Sequence, residues 1–212
     1  MPELRVFIGS DPRQPVAYSV LQHSISVRSS KPVSITRLQL DQLPITRRGL
    51  TEFTYSRFLV PYLCGYKGWG LFLDADMLVI DDIAKLFDLA DDRYDLMVVK
   101  NKEKFEWPSM MLFNCASCWK LTPAAVEVSD NLYMLEDWAN VGALPPEWNH
   151  CVGYDDPQDA RLIHYTQGIP VWPETQECEY AQEWHNERRA MMSTVSFEEL
   201  MGNSVHVARM HG

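Results

Sequence analysis

Two acidic side chains follow an apolar run near the middle of the chain, and their spacing suggests metal chemistry. The run Leu-Phe-Leu at 71–73 has the pattern of a buried strand, and Asp74 and Asp76 come directly after it. Alternation along an extended chain would place both carboxylates on one side, where they repel unless a divalent cation lies between them. The pattern therefore predicts a site for a metal ion and a diphosphate. The alternative is two solvated turn acids, because short Asp-x-Asp sequences are common by chance.

Charged side chains elsewhere could serve the same ligand. Arg57 precedes the acidic motif, and its guanidinium could pair with a diphosphate or a sugar, whereas a surface salt bridge is the alternative. Lys100 follows an apolar run in a lysine-rich segment, which could meet phosphate or be an ordinary solvated loop. Asp11 follows the first apolar run and could contact a ligand, cap the next helix, or do both.

Polar residues later in the chain are further candidates. Trp148 and Asn149 lie in a loop rich in turn-forming residues, which could stack a sugar ring and bond its hydroxyls, or could anchor the loop to the domain. His164 ends an apolar run shortly before Gly168, and a lone histidine is usually structural. Asn114 ends another apolar run and offers a polar amide.

Composition restricts the class of protein. The chain has 212 residues with 46% hydrophobic content, which predicts a single globular domain over 1–212, including a short helical C-terminal segment at 178–212. Its formal charge of -10 disfavours nucleic acid as a partner. The sequence shows no signal segment and no transmembrane run, so a cytoplasmic location is expected. Five cysteines without framework spacing predict reduced thiols, and Cys115 with Cys118 has no second pair to complete a structural zinc site.

Alternating and three-to-four-residue apolar patterns predict the elements that position these side chains. A strand, a helix and a second strand open the chain, which indicates an α/β sheet. The predicted strands lie at 4–8, 33–40, 71–79, 96–99, 109–114 and from 162, and the predicted helices at 15–25, 55–66, 81–87, 122–138 and 178–192. Ser196 and Glu199 form a capping box for a last short helix.

Several segments together resemble the family 8 glycosyltransferases, retaining enzymes with the GT-A nucleotide-sugar fold. The resemblance covers about residues 4 to 172 in the expected order, which is more specific than any single Asp-x-Asp motif. The segments that carry it are Phe7-Ile8-Gly9-Ser10-Asp11, Tyr55-Ser56-Arg57, Leu73-Asp74-Ala75-Asp76, Asn114, Leu144-Pro145 with Trp148-Asn149, and His164-Tyr165 with Gly168. It implies a Rossmann-like core with a mixed, mostly parallel sheet flanked by helices.

The resemblance also implies roles for individual residues. Asp74, Asp76 and His164 would hold a divalent ion, commonly Mn²⁺ with Mg²⁺ as the alternative, bound to the nucleotide diphosphate. The implied donor-binding residues are Gly9, Asp11, Arg57, Asp74, Asn114 and Gly168, to which we add Lys100. Arg57, Asp76, Asn114 and Asp137 would be catalytic, and Trp148 and Asn149 would bind the acceptor.

The chain departs from the family pattern at three places. Many members have Asn-Ala-Gly where this chain has Asn114-Cys115-Ala116. An Asp-Gln-Asp motif is replaced here by Glu136, Asp137 and Asn140, and the lysine that often follows the histidine turn is absent from Gly168-Ile169-Pro170-Val171-Trp172.

The resulting hypothesis is a metal-dependent glycosyltransferase. It would move a sugar from a nucleotide-diphosphate donor, expected to be a UDP-sugar, to a carbohydrate or other hydroxyl acceptor, with retention as the resemblance implies. A non-catalytic nucleotide-sugar-binding module is the first alternative. An aspartyl phosphatase is the second, with Asp155-Asp156 as magnesium ligands, although its acidic motif would normally end the first strand.

Overall fold

The computed structural model describes residues 3–156 and 158–193. Its strands are β1 (Leu4–Gly9), β2 (Val33–Leu38), β3 (Trp69–Leu73), β4 (Met77–Val79), β5 (Leu96–Val99), β6 (Met110–Asn114), β7 (Val141–Leu144), β8 (His150–Cys151) and β9 (Leu162–His164). Its α-helices are α1 (Pro15–Arg28), α2 (Val60–Leu63), α3 (Ile83–Phe87), α4 (Pro123–Val128), α5 (Leu135–Trp138) and α6 (Ala181–Met191). Short 3₁₀ segments lie at Leu40–Gln42, Ser56–Leu59, Lys104–Ser109 and Pro146–Trp148.

The main sheet has the order β2-β1-β3-β6-β5-β7, and β6 runs against the other five strands. Ile8 of β1 pairs with Leu73 of β3, and Leu73 pairs with Met110, the first residue of β6. The carboxyl ends of β1, β3 and β5 therefore meet the amino end of β6 at one edge, which we call the carboxyl edge. This mixed, mostly parallel sheet flanked by helices confirms the predicted α/β fold class.

A second, smaller sheet brings a distant segment to the carboxyl edge. Its order is β4-β9-β8, and antiparallel pairing of β4 with β9 places Met77 opposite His164. The Tyr165 amide also donates a hydrogen bond to the Asp76 carbonyl at 2.9 Å. On the other side, β8 lies parallel to β9 and pairs Cys151 with His164. Backbone pairing thus holds His164 beside the acidic motif.

Two hydrophobic clusters cover the two faces of the main sheet. Alternation along β1 sends Val6 and Ile8 to one cluster and Phe7 to the other. The first cluster is closed by α1 and by Trp184 of α6, and the second includes the segment Ser56–Leu59. Because both faces of the main sheet are covered, its strands are nearly continuous apolar runs. The polar side chains of interest lie beyond the ends of these strands.

The helices are shorter than the apolar patterns predict. The predicted helix at 55–66 is a 3₁₀ segment followed by the four-residue α2, which ends before Gly65 and Tyr66, both with positive φ. The predicted helix at 122–138 divides into α4 and α5, although Thr122 caps α4 as expected through the Ala125 amide. Ser196 and Glu199 lie outside the described residues. Among the helices of the described part, none has the length and apolar character needed to cross a bilayer.

Helix α6 is attached to α1 by a buried carboxylate. Glu187 is buried, accepts a hydrogen bond from Arg28 at 2.6 Å and contacts the ring of His23. Burial raises the pKa of Glu187, but the hydrogen bonds from Arg28 and His23 outweigh this effect and lower the pKa below its ordinary value. The charged form of Glu187 is therefore stabilised in the folded protein.

Replacing this carboxylate should weaken folding in a pH-dependent way. We expect Glu187→Gln to lower the free energy of unfolding by about 2 kcal/mol at neutral pH, the usual contribution of hydrogen bonds to a charged group. Because the pKa of Glu187 is lower in the folded protein, its charge stabilises the folded state at pH values above the unfolded-state pKa of about 4.3. This stabilisation is lost as the pH falls through the folded-state pKa. Urea titrations should therefore show the difference shrinking below about pH 4. Glu183→Gln, at an exposed position of the same helix, is the matched control. If Glu187→Gln lost the same free energy of unfolding at neutral pH and below about pH 4, its charge would not be what attaches α6 to α1.

Candidate metal and donor site

The acidic motif lies in the turn between β3 and β4, at the carboxyl edge. The Asp74 amide donates to the Ser109 carbonyl at 2.9 Å, which ties the motif to the start of β6. In both Asp74 and Asp76, the Oδ1 atom is buried and has no hydrogen-bond partner among the described residues. Buried acceptors without a hydrogen bond are costly, so both carboxylates have an oxygen atom whose hydrogen-bonding capacity folding does not use.

His164 completes a set of metal-ligating atoms around the motif. Its Nε2 atom lies 3.5 Å from Asp76 Oδ1, and Asp74, Asp76 and His164 each offer a donor atom within 4.8 Å of the others. We call these three residues the outer donor set. Burial alone would lower the pKa of His164, but contact with Asp76 and Cys151 raises it well above the ordinary value. Two carboxylates and an imidazole suit Mn²⁺, and the carboxylate oxygens that accept no hydrogen bond are available as its ligands.

Arg57 lies directly behind Asp74. Its Nη2 atom is 3.0 Å from Asp74 Oδ1 in an ion pair, although the N–H is not directed well enough for a hydrogen bond. The guanidinium is buried, donates to the Pro108 carbonyl at 2.7 Å and lies 4.8 Å from the Phe72 ring centre. Burial raises the pKa of Asp74 to about 7, with Arg57 opposing and Asp76 reinforcing the shift. Arg57 is therefore a fixed positive charge at the site, not a surface cation.

Glu106 belongs to the site and was missed by the sequence analysis. Its Oε2 atom lies 3.6 Å from His164 Nδ1, on the side of the ring opposite Asp76, and burial raises its pKa. Glu106 sits in the segment Lys104–Ser109, which enters the antiparallel strand β6 at the carboxyl edge. The sequence signal was its position before an apolar run, because an antiparallel strand presents its beginning at this edge.

Asn114 is not brought to this site, contrary to expectation. It is the last residue of β6 and pairs with Trp69, whereas Met110 pairs with Leu73 next to the acidic motif. Four residues along a strand separate Asn114 from the carboxyl edge by about 13 Å. The resemblance implied that Asn114 contacts the donor sugar, and the antiparallel direction of β6 places this residue at the opposite end of the strand from the acidic motif.

Trp148 and Asn149 are also placed differently from the acceptor-side prediction. Trp148 is 2% exposed and packs in the first hydrophobic cluster, so its ring faces cannot stack a sugar in this conformation. Asn149 is fully buried and donates to Ser109 Oγ at 3.0 Å and Asn101 Oδ1 at 3.3 Å. This arrangement fits the alternative prediction, in which Trp148 anchors the loop to the domain, because the indole is buried in the hydrophobic core.

The buried indole has a measurable consequence. We expect Trp148→Ala to lower the free energy of unfolding by about 3–5 kcal/mol, because it removes a large fully packed side chain and leaves a cavity. Urea denaturation of the purified protein measures this change. Trp172, which is 45% exposed, gives the control Trp172→Ala with a much smaller expected loss. Equal losses for the two variants would show that Trp148 is not a core residue.

The basic and acidic side chains near the carboxyl edge are partly paired. Lys100 follows β5, lies 3.6 Å from Glu136 Oε1, and has its ammonium group 5.3 Å from the Trp107 ring centre. Asp137 is exposed on α5 next to Glu136, and the described contacts do not join it to the outer donor set. Asp11 is buried and accepts hydrogen bonds from Arg13, which lower the pKa of Asp11 despite the opposing effect of burial.

Two glycines have local geometric reasons for their identity. A Cβ atom on Gly9, at the end of β1, would lie 2.5 Å from the Phe53 ring, so this position excludes any side chain. Gly168 has a φ of +113° and closes a turn after β9 by donating to the Tyr165 carbonyl at 2.8 Å.

Asp11, the ligand candidate after β1, does not cap α1. The cap position of this helix is Gln14, whose side chain makes no capping hydrogen bond.

Comparison with known proteins gives one close relative in sequence. No family model matches the chain. The chain is 35% identical to Protein CDI from Arabidopsis thaliana over 223 aligned positions, which cover 86% of this chain and 85% of that protein. The chain belongs to the family of Protein CDI.

Solved structures show that this CDI family member has the GT-A fold of glycosyltransferases. The bifunctional glycosyltransferase WbbM matches with a TM-score of 0.70 and 16% identity over 93% of this chain, which spans 50% of WbbM. The galactosyltransferase LgtC, solved with donor and acceptor sugar analogs, matches with a TM-score of 0.64 and 12% identity over 92% of this chain and 99% of LgtC. GlyE from Streptococcus pneumoniae matches with a TM-score of 0.64 and 15% identity over 87% of this chain and 60% of GlyE.

Proposed function

We propose that the protein is a metal-dependent glycosyltransferase that uses a nucleotide-diphosphate sugar, expected to be a UDP-sugar, and a hydroxyl acceptor. The observation that carries this proposal is the outer donor set, in which Asp74, Asp76 and His164 converge at the carboxyl edge of a GT-A sheet. Ligands of open α/β sheets bind at the carboxyl ends of the strands. Retention of anomeric configuration, a single domain over 1–212 and a cytoplasmic location belong to the same proposal.

The side chains around the donor set have complementary tasks in this proposal. Asp74, Asp76 and His164 would hold Mn²⁺ or Mg²⁺, and the bound cation would neutralise the departing diphosphate. Arg57 keeps Asp74 oriented and adds a fixed positive charge near the phosphates. Glu106 faces Nδ1 of His164 and favours a proton there, which leaves Nε2 free as a metal ligand. When the donor binds, Lys100 would leave its ion pair with Glu136 and pair with a phosphate of the donor.

Thermal shift with nucleotides tests the binding step directly. UDP, GDP and ADP, each alone and each with Mn²⁺, should be compared, because a ligand that binds the native state raises the melting temperature. We expect a large increase in melting temperature for UDP with Mn²⁺ and little increase for UDP alone or Mn²⁺ alone. Absence of any metal-dependent nucleotide effect would overturn the proposal.

A non-catalytic nucleotide-sugar-binding module is the second candidate, and two observations favour considering it. Asn114 lies away from the site and Trp148 is buried, so neither supplies the contact that the family resemblance implies. Donor hydrolysis separates the two functions. An enzyme releases free sugar slowly from its nucleotide donor, whereas a binding module is stabilised by UDP and Mn²⁺ without hydrolysis or transfer to any acceptor of a broad panel.

The phosphatase alternative gains no support from the geometry. Asp155, one of its candidate magnesium ligands, accepts hydrogen bonds from the Asn101 side chain at 2.9 Å and from the Cys151 amide at 2.8 Å. Asp156 is exposed and pairs with Lys102. These two acids therefore have structural and surface contacts, and neither is part of the outer donor set.

A further inference from the structure

A second set of metal-ligating atoms lies on the other side of the His164 ring. Nδ1 of His164 is 3.6 Å from Glu106 Oε2 and 3.9 Å from Cys151 Sγ. The three donor atoms all lie within 4.8 Å of one another. His164 and Cys151 are buried, and the Glu106 side chain is 13% exposed. We call Glu106, Cys151 and His164 the inner donor set.

The chemistry and spacing of the inner donor set suit zinc. Thiolate, imidazole and carboxylate are the three ligand types of Zn²⁺, with bond lengths of about 2.0–2.3 Å. Tetrahedral ligands at those lengths stand about 3.3–3.7 Å from one another. The two separations from His164, 3.6 and 3.9 Å, are close to these values, and the carboxylate oxygen and the sulfur lie within 4.8 Å of each other, so small side-chain movements would close the three atoms around an ion. Mn²⁺ and Mg²⁺, in contrast, prefer the oxygen-rich outer donor set.

The backbone holds the inner donor set in place independently of any ion. Cys151 and His164 are direct partners in the parallel pairing of β8 with β9. The Cys151 amide donates to Asp155 at 2.8 Å, and Ser109 Oγ donates to the Glu106 carbonyl at 2.6 Å. Because the three side chains project from fixed backbone positions, their convergence is part of the fold.

We propose that Glu106, Cys151 and His164 form a binding site for Zn²⁺, with solvent as the fourth ligand. On binding, the Cys151 thiol gives its proton to the solvent and its sulfur bonds to the ion. The site lies at the carboxyl edge but does not use Asp74 or Asp76, so zinc binding does not depend on the proposed transferase function.

The shared imidazole makes the two donor sets compete, and this part rests on the proposed function of the outer set. A neutral imidazole has one nitrogen lone pair available and carries a proton on the other nitrogen. When Nδ1 of His164 binds zinc, Nε2 keeps the proton and points it toward Asp76. His164 then cannot serve Mn²⁺, so zinc should inhibit Mn²⁺-dependent nucleotide binding.

Spectroscopy with cobalt tests the inner site. Co²⁺ added to the purified, metal-free protein replaces Zn²⁺ and gives a thiolate-to-metal charge-transfer band in the near ultraviolet when sulfur is a ligand. We expect the band in the wild type and in Asp76→Asn, and its loss in Cys151→Ser, with Zn²⁺ affinity falling by at least about tenfold in Cys151→Ser. Cys178→Ser is the matched control, because Cys178 is a free thiol that belongs to neither donor set.

Other outcomes separate the claims. If Cys151→Ser fails to fold, Glu106→Gln provides the same test, since it retains the thiol and should weaken Zn²⁺ binding. No thiolate band in the wild type, or a band and Zn²⁺ affinity unchanged in Cys151→Ser, overturns the zinc site and leaves Cys151, His164 and Glu106 as a cluster of polar contacts without a metal. If Zn²⁺ binds at Cys151 but UDP with Mn²⁺ does not stabilise the protein, the inner site is supported and the proposed function of the outer set is wrong.

Discussion

Asp76→Asn should abolish the stabilisation of the protein by UDP with Mn²⁺ and lower donor hydrolysis or transfer by at least about a hundredfold. Asparagine preserves the size of the side chain but removes the negative charge and one good metal-ligating oxygen. Among the described residues, Asp76 Oδ1 is buried without a hydrogen-bond partner, and its charge is balanced in the folded protein only by the His164 ring 3.5 Å away. Relief of the unsatisfied oxygen and loss of the contact with His164 have opposite effects on stability, so the metal-free variant should stay folded and melt close to the temperature of the metal-free wild type.

That second expectation distinguishes a lost ligand from a damaged fold. Asp92→Asn makes the same chemical change at an exposed turn position and should leave both melting temperature and UDP binding unchanged. Thermal shift and isothermal titration with Mn²⁺ measure the two effects separately. If Asp76→Asn keeps the full Mn²⁺-dependent response to UDP, the outer donor set is not the metal site.

Arg57→Met should lower the free energy of unfolding by about 3 kcal/mol at about pH 8.5, because it leaves the Asp74 carboxylate buried without its cation. The loss should be smaller near pH 5. The folded-state pKa of Asp74 is already raised to about 7, and removal of Arg57 raises it further. A raised acid pKa means that Asp74 is protonated at low pH in both proteins, so the ion pair contributes only as the pH rises through that pKa.

Chemical denaturation of both proteins at the two pH values measures this difference. Arg48→Met is the matched control, because Arg48 is 74% exposed, pairs with Glu52 at the surface, and should cost at most about 1 kcal/mol. A loss of equal size at both pH values would mean that Arg57 acts through its hydrogen bond to Pro108 and its packing against Phe72 and Phe53, not through its charge beside Asp74.

The fold class could be predicted because local patterns and their order were sufficient. The apolar runs of β1, β5 and β6 and the helix beginning at Pro15 appear where the sequence indicates them. The predicted strand at 71–79 is instead divided by the turn that carries Asp74 and Asp76, with β3 before it in the main sheet and β4 after it in the smaller sheet. The lengths of the short helices could not be predicted, because apolar spacing at 55–66 and 122–138 continues across turns. In the first of these segments, α2 ends at Leu63, shortly before the positive φ values of Gly65 and Tyr66, which no α-helix can include.

The site was predictable where a residue lies beside a strand that runs in the expected direction. Asp74 follows β3, and His164 ends a strand that pairs with β4, so both stand at one edge. Strand direction itself leaves no local mark in the sequence. The reversal of β6 therefore moved Asn114 away and brought Glu106 in, and burial of Trp148 depended on packing between segments distant in the chain.

The entry of β6 at the carboxyl edge separates two kinds of evolutionary change. The apolar residues of β6 alternate into both core clusters, and substitutions among them affect stability. The preceding segment Lys104–Ser109 lies at the edge with Glu106 but outside the strand. Under the proposed function, changes in this short segment would alter metal preference or donor recognition, while the strand that supports it stays the same. Members of the family should diverge in specificity first at this turn.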